Sequence, residues 1–175
     1  TPDLVRAKTR IELGVKKHDR ILIYGDYDAD GIMSASIIKI CLRKIGLEAQ
    51  VFIPSRYLDG YGLTMENSVR IANCFDLVIL VDNGVSSSSE IRYLKEKGVD
   101  VIVLDHHEIG EFPPLDAFAF VHPDRLNYGP YPISAGELCF GFSRYLLNKD
   151  EEYLAILAGI STISDCMPLK GYNQK

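Results

Sequence analysis

Ile21-Leu-Ile-Tyr-Gly-Asp-Tyr-Asp-Ala-Asp-Gly31 opens as a branched apolar run and ends in acids. The run Ile21–Tyr24 has no polar alternation, which predicts a strand buried on both faces, the habit of a parallel sheet. Gly25 breaks it, and Asp26, Asp28 and Asp30 follow at alternate positions before Gly31 and a long apolar-periodic segment. Three carboxylates on one strand-to-helix turn repel one another unless something positive sits among them. A divalent cation satisfies that need, and hard oxygen ligands suit magnesium or manganese. The plainer alternative is a solvated acidic turn in which Asp30 caps the next helix.

Working outward, strands and helices alternate. Thr1-Pro2-Asp3 has the form of a helix start, and Lys16 and Lys17 suit the negative end of that helix. A helix is expected from Ile32 to Ile45, closed by Gly46, then a strand over Ala49–Ile53. Pro54–Gly62 reads as a loop, and Thr64–Asn73 as a short helix. Leu77–Val81 is a third strand, ending in Asp82-Asn83-Gly84, and Ser87 with Glu90 has the spacing of a capping box for a helix to Lys97. Val99–Leu104 is a fourth, ending in Asp105-His106-His107-Glu108, and Ala117–Val121 a fifth. His122 to Pro132 reads as a long loop. Ser134 with Glu137 opens a helix to Leu147, and Asp150 is expected to cap a last helix that delivers Asp165. The predicted fold is α/β: an open, mainly parallel sheet of about five strands with helices on both faces.

Three predicted strands thus end in carboxylates, one of them beside two histidines. In open α/β sheets ligands bind outside the carboxyl ends of the strands, so these groups should meet at one rim. Carboxylates mixed with imidazole suit manganese and are compatible with magnesium. Their number suggests two ions sharing one acid, the arrangement used for in-line displacement at phosphorus. Glycine-rich dinucleotide and phosphate loops and the G-x-S-x-G elbow are absent from the sequence. The net charge of −5 argues against a simple cationic nucleic-acid binder, although bound cations would cancel part of it locally. Cys41, Cys74, Cys139 and Cys166 form no C-x-x-C pair and are expected as free thiols. With no signal-like or long apolar run visible, a cytoplasmic location away from membranes is the default expectation.

Gly25-Asp-Tyr-Asp-Ala-Asp-Gly31, Val81-Asp-Asn-Gly84 and Asp105-His-His107 resemble the signature of the DHH phosphoesterase superfamily. Ile53-Pro-Ser-Arg56, Asp59-Gly-Tyr-Gly-Leu63, His122-Pro-Asp-Arg125, Ser134-Ala-Gly136 and Ile163-Ser-Asp-Cys-Met-Pro-Leu169 bring the resemblance closer to its RecJ family of single-strand-specific 5′→3′ exonucleases. It implies Asp28, Asp30, Asp82, His106 and Asp165 as ligands of Mn²⁺ or Mg²⁺, Asp82 as the bridge, and Asp26 as a ligand or a supporting acid. It implies that Asp105 orients its neighbours and that His107 faces the scissile phosphate, so that His107, Asp105 and Asp82 carry the catalysis. Arg56, Arg125, Ser134 and Gly136 are expected as contacts to DNA phosphates.

The implied activity is hydrolysis of single-stranded DNA to 5′-mononucleotides in repair and recombination, with replication or repair proteins as candidate partners and the oligomeric state open. Alternatives are a small-substrate relative acting on oligoribonucleotides, cyclic dinucleotides or pyrophosphate, and a non-catalytic scaffold. Tyr24 stands where other members of the superfamily carry a ligand histidine, which leaves the ligand count at one metal open. Residues 1–175 are expected to be a single catalytic DHH domain without the DHH-associated domain that follows it in such proteins.

Overall fold

The computed structural model describes residues 1–174 except Asp59, Tyr61 and Asn127. Five strands, β1 (Ile21–Tyr24), β2 (Ala49–Phe52), β3 (Leu77–Val81), β4 (Asp100–Leu104) and β5 (Ala119–Val121), form one sheet in the order β2-β1-β3-β4-β5. Every neighbouring pair is parallel. The order reverses beside β1, which creates a crevice at the carboxyl ends of β1 and β3.

The alternation of side chains across the pleat builds two cores. Ile21, Ile23, Leu77, Ile79, Val81, Ile102 and Leu104 pack on one face against α1 (Pro2–Lys17), α2 (Ala29–Lys44), α6 (Ala135–Leu147) and α7 (Glu152–Ser164). Leu22, Tyr24, Val78, Leu80, Val101 and Val103 pack on the other against α3 (Met65–Ala72) and α4 (Ser88–Glu96). Arg10 of α1 is buried beneath the sheet's amino-terminal rim, 2.5 Å from Asp100 Oδ2 and 2.7 Å from Asp19 Oδ2, and it also donates to the Asp76 carbonyl. Among the described residues no helix is long and apolar enough to cross a membrane.

The five strands and both helical layers fall where the apolar runs placed them, but several ends differ. α2 starts at Ala29, and its cap is Asp28, whose Oδ1 accepts from Gly31 N at 2.9 Å; Asp30 lies inside the first turn. Asp150 does not cap α7, because its carboxylate is paired with Arg144 and Glu151 takes the cap position. Ser87 precedes α4 without a side-chain cap bond, so the expected capping box does not form there. Pro123–Leu126 is a short helix, α5, where a loop was expected. α2 ends as anticipated at Gly46, whose φ of 83° lets Leu47 N reach Leu42 O in a Schellman closure.

Candidate metal centre

β1, β3 and β4 deliver their acids to a common rim because their registers align, with Tyr24 opposite Leu80 and Val81 opposite Leu104. The residue after β3 is Asp82, held by the bond from its N–H to Leu104 O at 3.0 Å. Its φ is 59°, a left-handed conformation that costs a non-glycine residue about 1 kcal/mol and that Asp tolerates better than most. That turn aims a 2%-exposed carboxylate into the crevice.

The first turn of α2 runs so close to the Asp26 backbone that a Cβ on Gly31 would lie 2.6 Å from both Asp26 N and Asp26 O. Glycine is therefore obligatory at position 31, and the packing holds Asp26, Asp28 and Asp30 in a fixed fan.

Asp26, Asp28 and Asp82 each offer an oxygen within 4.8 Å of the others, and so do the donor atoms of Asp30, His106 and Asp165, and of Asp82, His106 and His107. Asp82 and His106 each belong to two groups. His106 Nδ1 donates to Ile133 O at 2.8 Å, which turns Nε2 toward the acids: 3.2 Å from Asp82 Oδ1 and 3.6 Å from Asp30 Oδ2 and Asp165 Oδ2.

Among the described residues, Asp82 Oδ1 and Asp165 Oδ2 are buried and accept no hydrogen bond. Buried carboxylate oxygens without donors are costly, so the cluster fits cations. Burial pushes the Asp82 carboxyl up to about 8. Burial opposes charge on His106, yet Asp82, Asp30 and Asp165 outweigh it and raise the imidazole to about 9. Burial also raises Asp26 and Asp165.

Asp105 sits behind this layer. Its Oδ1 accepts from His106 N at 2.8 Å, His107 N at 3.2 Å and His107 Nδ1 at 2.8 Å, and its Oδ2 accepts from Val85 N at 2.9 Å. Burial would raise this acid, but its bonds to His107 and Val85 win and hold it below the usual carboxylate range. The His107 side chain is 44% exposed, and the bond to Asp105 raises its basicity.

The structure thus brings together Asp26, Asp28, Asp30, Asp82, His106, His107 and Asp165, with Asp105 behind them. Arg56, exposed in the loop after β2, lies over the Tyr27 ring with its guanidinium carbon 5.6 Å from the centroid, beside the acidic turn. Asp59 and Tyr61 of that loop lie outside the described residues. Arg125 is placed elsewhere: Nη1 is 3.3 Å from Asp3 Oδ2, and the guanidinium covers Phe120. Ser134 and Gly136 do reach the site, but Gly136 N donates to Asp30 Oδ1 at 2.8 Å and Ser134 Oγ accepts from Glu137 N at 3.2 Å. Tyr24 supplies no ligand; its hydroxyl donates to Gly62 O and accepts from Asn67 on the far face of the sheet.

Ser34, Ser161 and His122 were not foreseen. Ser34 and Ser161 donate to Asp30 Oδ1, and His122 Nε2 donates to His107 O at 2.8 Å. Helical spacing carried a signal for the serines. Ser34 lies four residues after Asp30 and Ser161 four before Asp165, on the same helix faces.

The family model for the DHH family, N-terminal domain, matches residues 20–163. The chain is 36% identical over 172 residues to the single-stranded-DNA-specific exonuclease RecJ of Bacillus subtilis, covering 96% of this chain and 22% of that protein. With the RecJ of Thermus thermophilus the identity is 37% over 176 residues, covering 98% and 26%. A solved structure of exonuclease RecJ bound to manganese superposes with a TM-score of 0.91 at 34% identity, over 98% of this chain and 45% of that one. The chain spans about a quarter of the length of the curated relatives it matches. The order and spacing of the acids, the paired histidines and the parallel sheet that gathers them all agree with that match, and the chain belongs to the DHH family.

Proposed function

We propose that these residues form the catalytic unit of a metal-dependent phosphodiesterase that removes 5′-mononucleotides from single-stranded DNA, working in the cytoplasm in repair and recombination. The observation that carries this reading is the sharing of Asp82 and His106 between ligand groups around two unpartnered buried carboxylate oxygens. The RecJ relatives and the manganese bound in the solved RecJ structure support it.

Asp26, Asp28 and Asp82 would hold one Mn²⁺ or Mg²⁺, and Asp30, His106 and Asp165 the other, with Asp82 reaching both. When bound, such ions lower the pKa of water and neutralise phosphate oxygens. The chain supplies the rest. β1, β3 and β4 fix the separation of the two ligand groups. Asp105 holds the His107 ring by Nδ1, so that its charged form can hydrogen-bond the scissile phosphate or pass a proton to the leaving oxygen. Arg56 is the phosphate contact that the geometry favours. The amides at the start of α6 are already engaged by Asp30 and serve the site by holding that acid, and Arg125 is engaged by Asp3 away from it.

The test is digestion of single strands labelled at the 5′ or the 3′ end, with Mn²⁺, Mg²⁺ or chelator, beside duplex DNA, dinucleotides and pyrophosphate. Cation-dependent release of 5′-labelled mononucleotide from single strands is expected. Equal attack on duplex, or turnover of pyrophosphate or dinucleotides alone, would overturn the assignment.

A further inference from the structure

We infer that Ser161 is a specificity-determining positioning residue: it locks Asp30 as a one-oxygen ligand and so biases the site against calcium. The inference rests on the metal-binding reading above. Asp30 is 2% exposed and surrounded by donors. Its Oδ1 accepts from Gly136 N at 2.8 Å and from the Ser161 hydroxyl, with Ser34 Oγ at 3.4 Å. Its Oδ2 accepts from Ala135 N at 2.9 Å and faces His106 Nε2 at 3.6 Å.

A carboxylate has about four lone-pair sites. Gly136 and Ser161, with Ser34 at longer reach, share the two of Oδ1, and Ala135 takes one of Oδ2. One remains, pointing at the space shared with His106 and Asp165.

The lock is built into the fold. Ser161 is fully buried on α7, and its Oγ is 2.7 Å from Ser134 Oγ at the cap of α6. A Cβ on Gly136 would lie 2.2 Å from Ser161 Oγ, so the helix start is cut to admit this hydroxyl. Three elements therefore agree on one orientation of Asp30.

The consequence is chemical. Manganese and magnesium accept one oxygen from each of several carboxylates at short distance. Calcium wants more oxygens and commonly takes carboxylates by both. A carboxylate whose second oxygen is tied by a hydroxyl and an amide cannot open into a two-oxygen ligand. Removing the hydroxyl leaves Oδ1 held by the Gly136 amide and the long Ser34 contact, and lets the group rock.

Mn²⁺ and Ca²⁺ binding to the wild-type chain, Ser161→Ala, Ser161→Cys and Ser161→Thr would be measured by calorimetric titration, with circular dichroism confirming the fold. For Ser161→Ala and Ser161→Cys, Mn²⁺ affinity should fall about tenfold or more while Ca²⁺ affinity holds or rises, so the Mn²⁺/Ca²⁺ preference drops at least about tenfold. Ser161→Thr, which keeps the hydroxyl, should retain the wild-type preference. Parallel losses for both ions, or no change in either, would overturn the role of Ser161. A wild-type chain that binds no Mn²⁺ would instead defeat the metal reading itself.

Discussion

Asp82 Oδ1 lies 3.2 Å from His106 Nε2, although the two residues belong to the ends of different strands. The pairing of Val81 with Leu104 puts them there, and the left-handed turn at Asp82 closes the gap. Burial raises the Asp82 carboxyl to about 8, and Asp82 with Asp30 and Asp165 overcomes burial to raise the His106 imidazole to about 9.

Asp82→Asn should separate function from fold. Asparagine tolerates the left-handed backbone and keeps the volume, but it removes the charge that both ligand groups share. Mn²⁺ binding and hydrolysis should be lost, while the thermal midpoint of the metal-free protein at pH 8 holds or rises. Undiminished turnover in this variant would remove Asp82 from the site.

His107→Ala should leave the ligands in place and slow the chemistry. A loss of roughly 100- to 10,000-fold in the rate of hydrolysis is expected, with Mn²⁺ affinity changed less than about threefold. Asp105→Asn should slow the reaction less, since it loosens the ring without removing it. Single-turnover rates beside Mn²⁺ titrations check both.

The metal-free protein should lose stability as pH rises. A carboxyl whose folded value is raised binds more protons folded than unfolded, so Asp82 weakens the fold progressively from about 3.8 to about 8. A raised imidazole contributes stability that is full below 6.5 and gone above about 9, so His106 acts in the same direction. The two windows overlap between pH 6.5 and 8, where the thermal midpoint should fall most steeply. Saturating Mn²⁺ should flatten or reverse the slope, adding about 2.7 kcal/mol at one hundred times the dissociation constant. Scanning calorimetry from pH 5 to 9 with and without chelator would show a flat metal-free profile if the cluster were not as described.

Arg10→Ala should destabilise the fold by roughly 2–4 kcal/mol, because it leaves Asp19 and Asp100 without their shared cation at the buried edge of the sheet. Urea unfolding reads this directly. Mn²⁺ affinity should be unchanged, since the contact lies at the rim opposite the acids.

Much of this was legible one residue at a time. Apolar runs bounded by Gly25 and by Asp82-Asn83-Gly84 identify buried parallel strands, because an uninterrupted Leu77–Val81 run cannot face water on either side. Acids placed after such runs fall at the carboxyl rim by geometry alone. Helix starts were less legible than strands. Asp28 and Asp30 are equally good caps in sequence, and Asp150 and Glu151 differ by one position; only the packing of α2 and α7 decides between them.

The order of residues by itself determined the strands, the helical layers and the acids and imidazoles that follow β1, β3 and β4, since these follow from local periodicity, while Asp165 was named a ligand through the family resemblance. Tertiary structure alone decided what those groups do to one another. Ser161 meets Asp30 across 131 positions of chain, and Arg125 is claimed by Asp3. Hydrogen bonds of that reach depend on how whole helices seat on the sheet, and no short window of sequence encodes that seating.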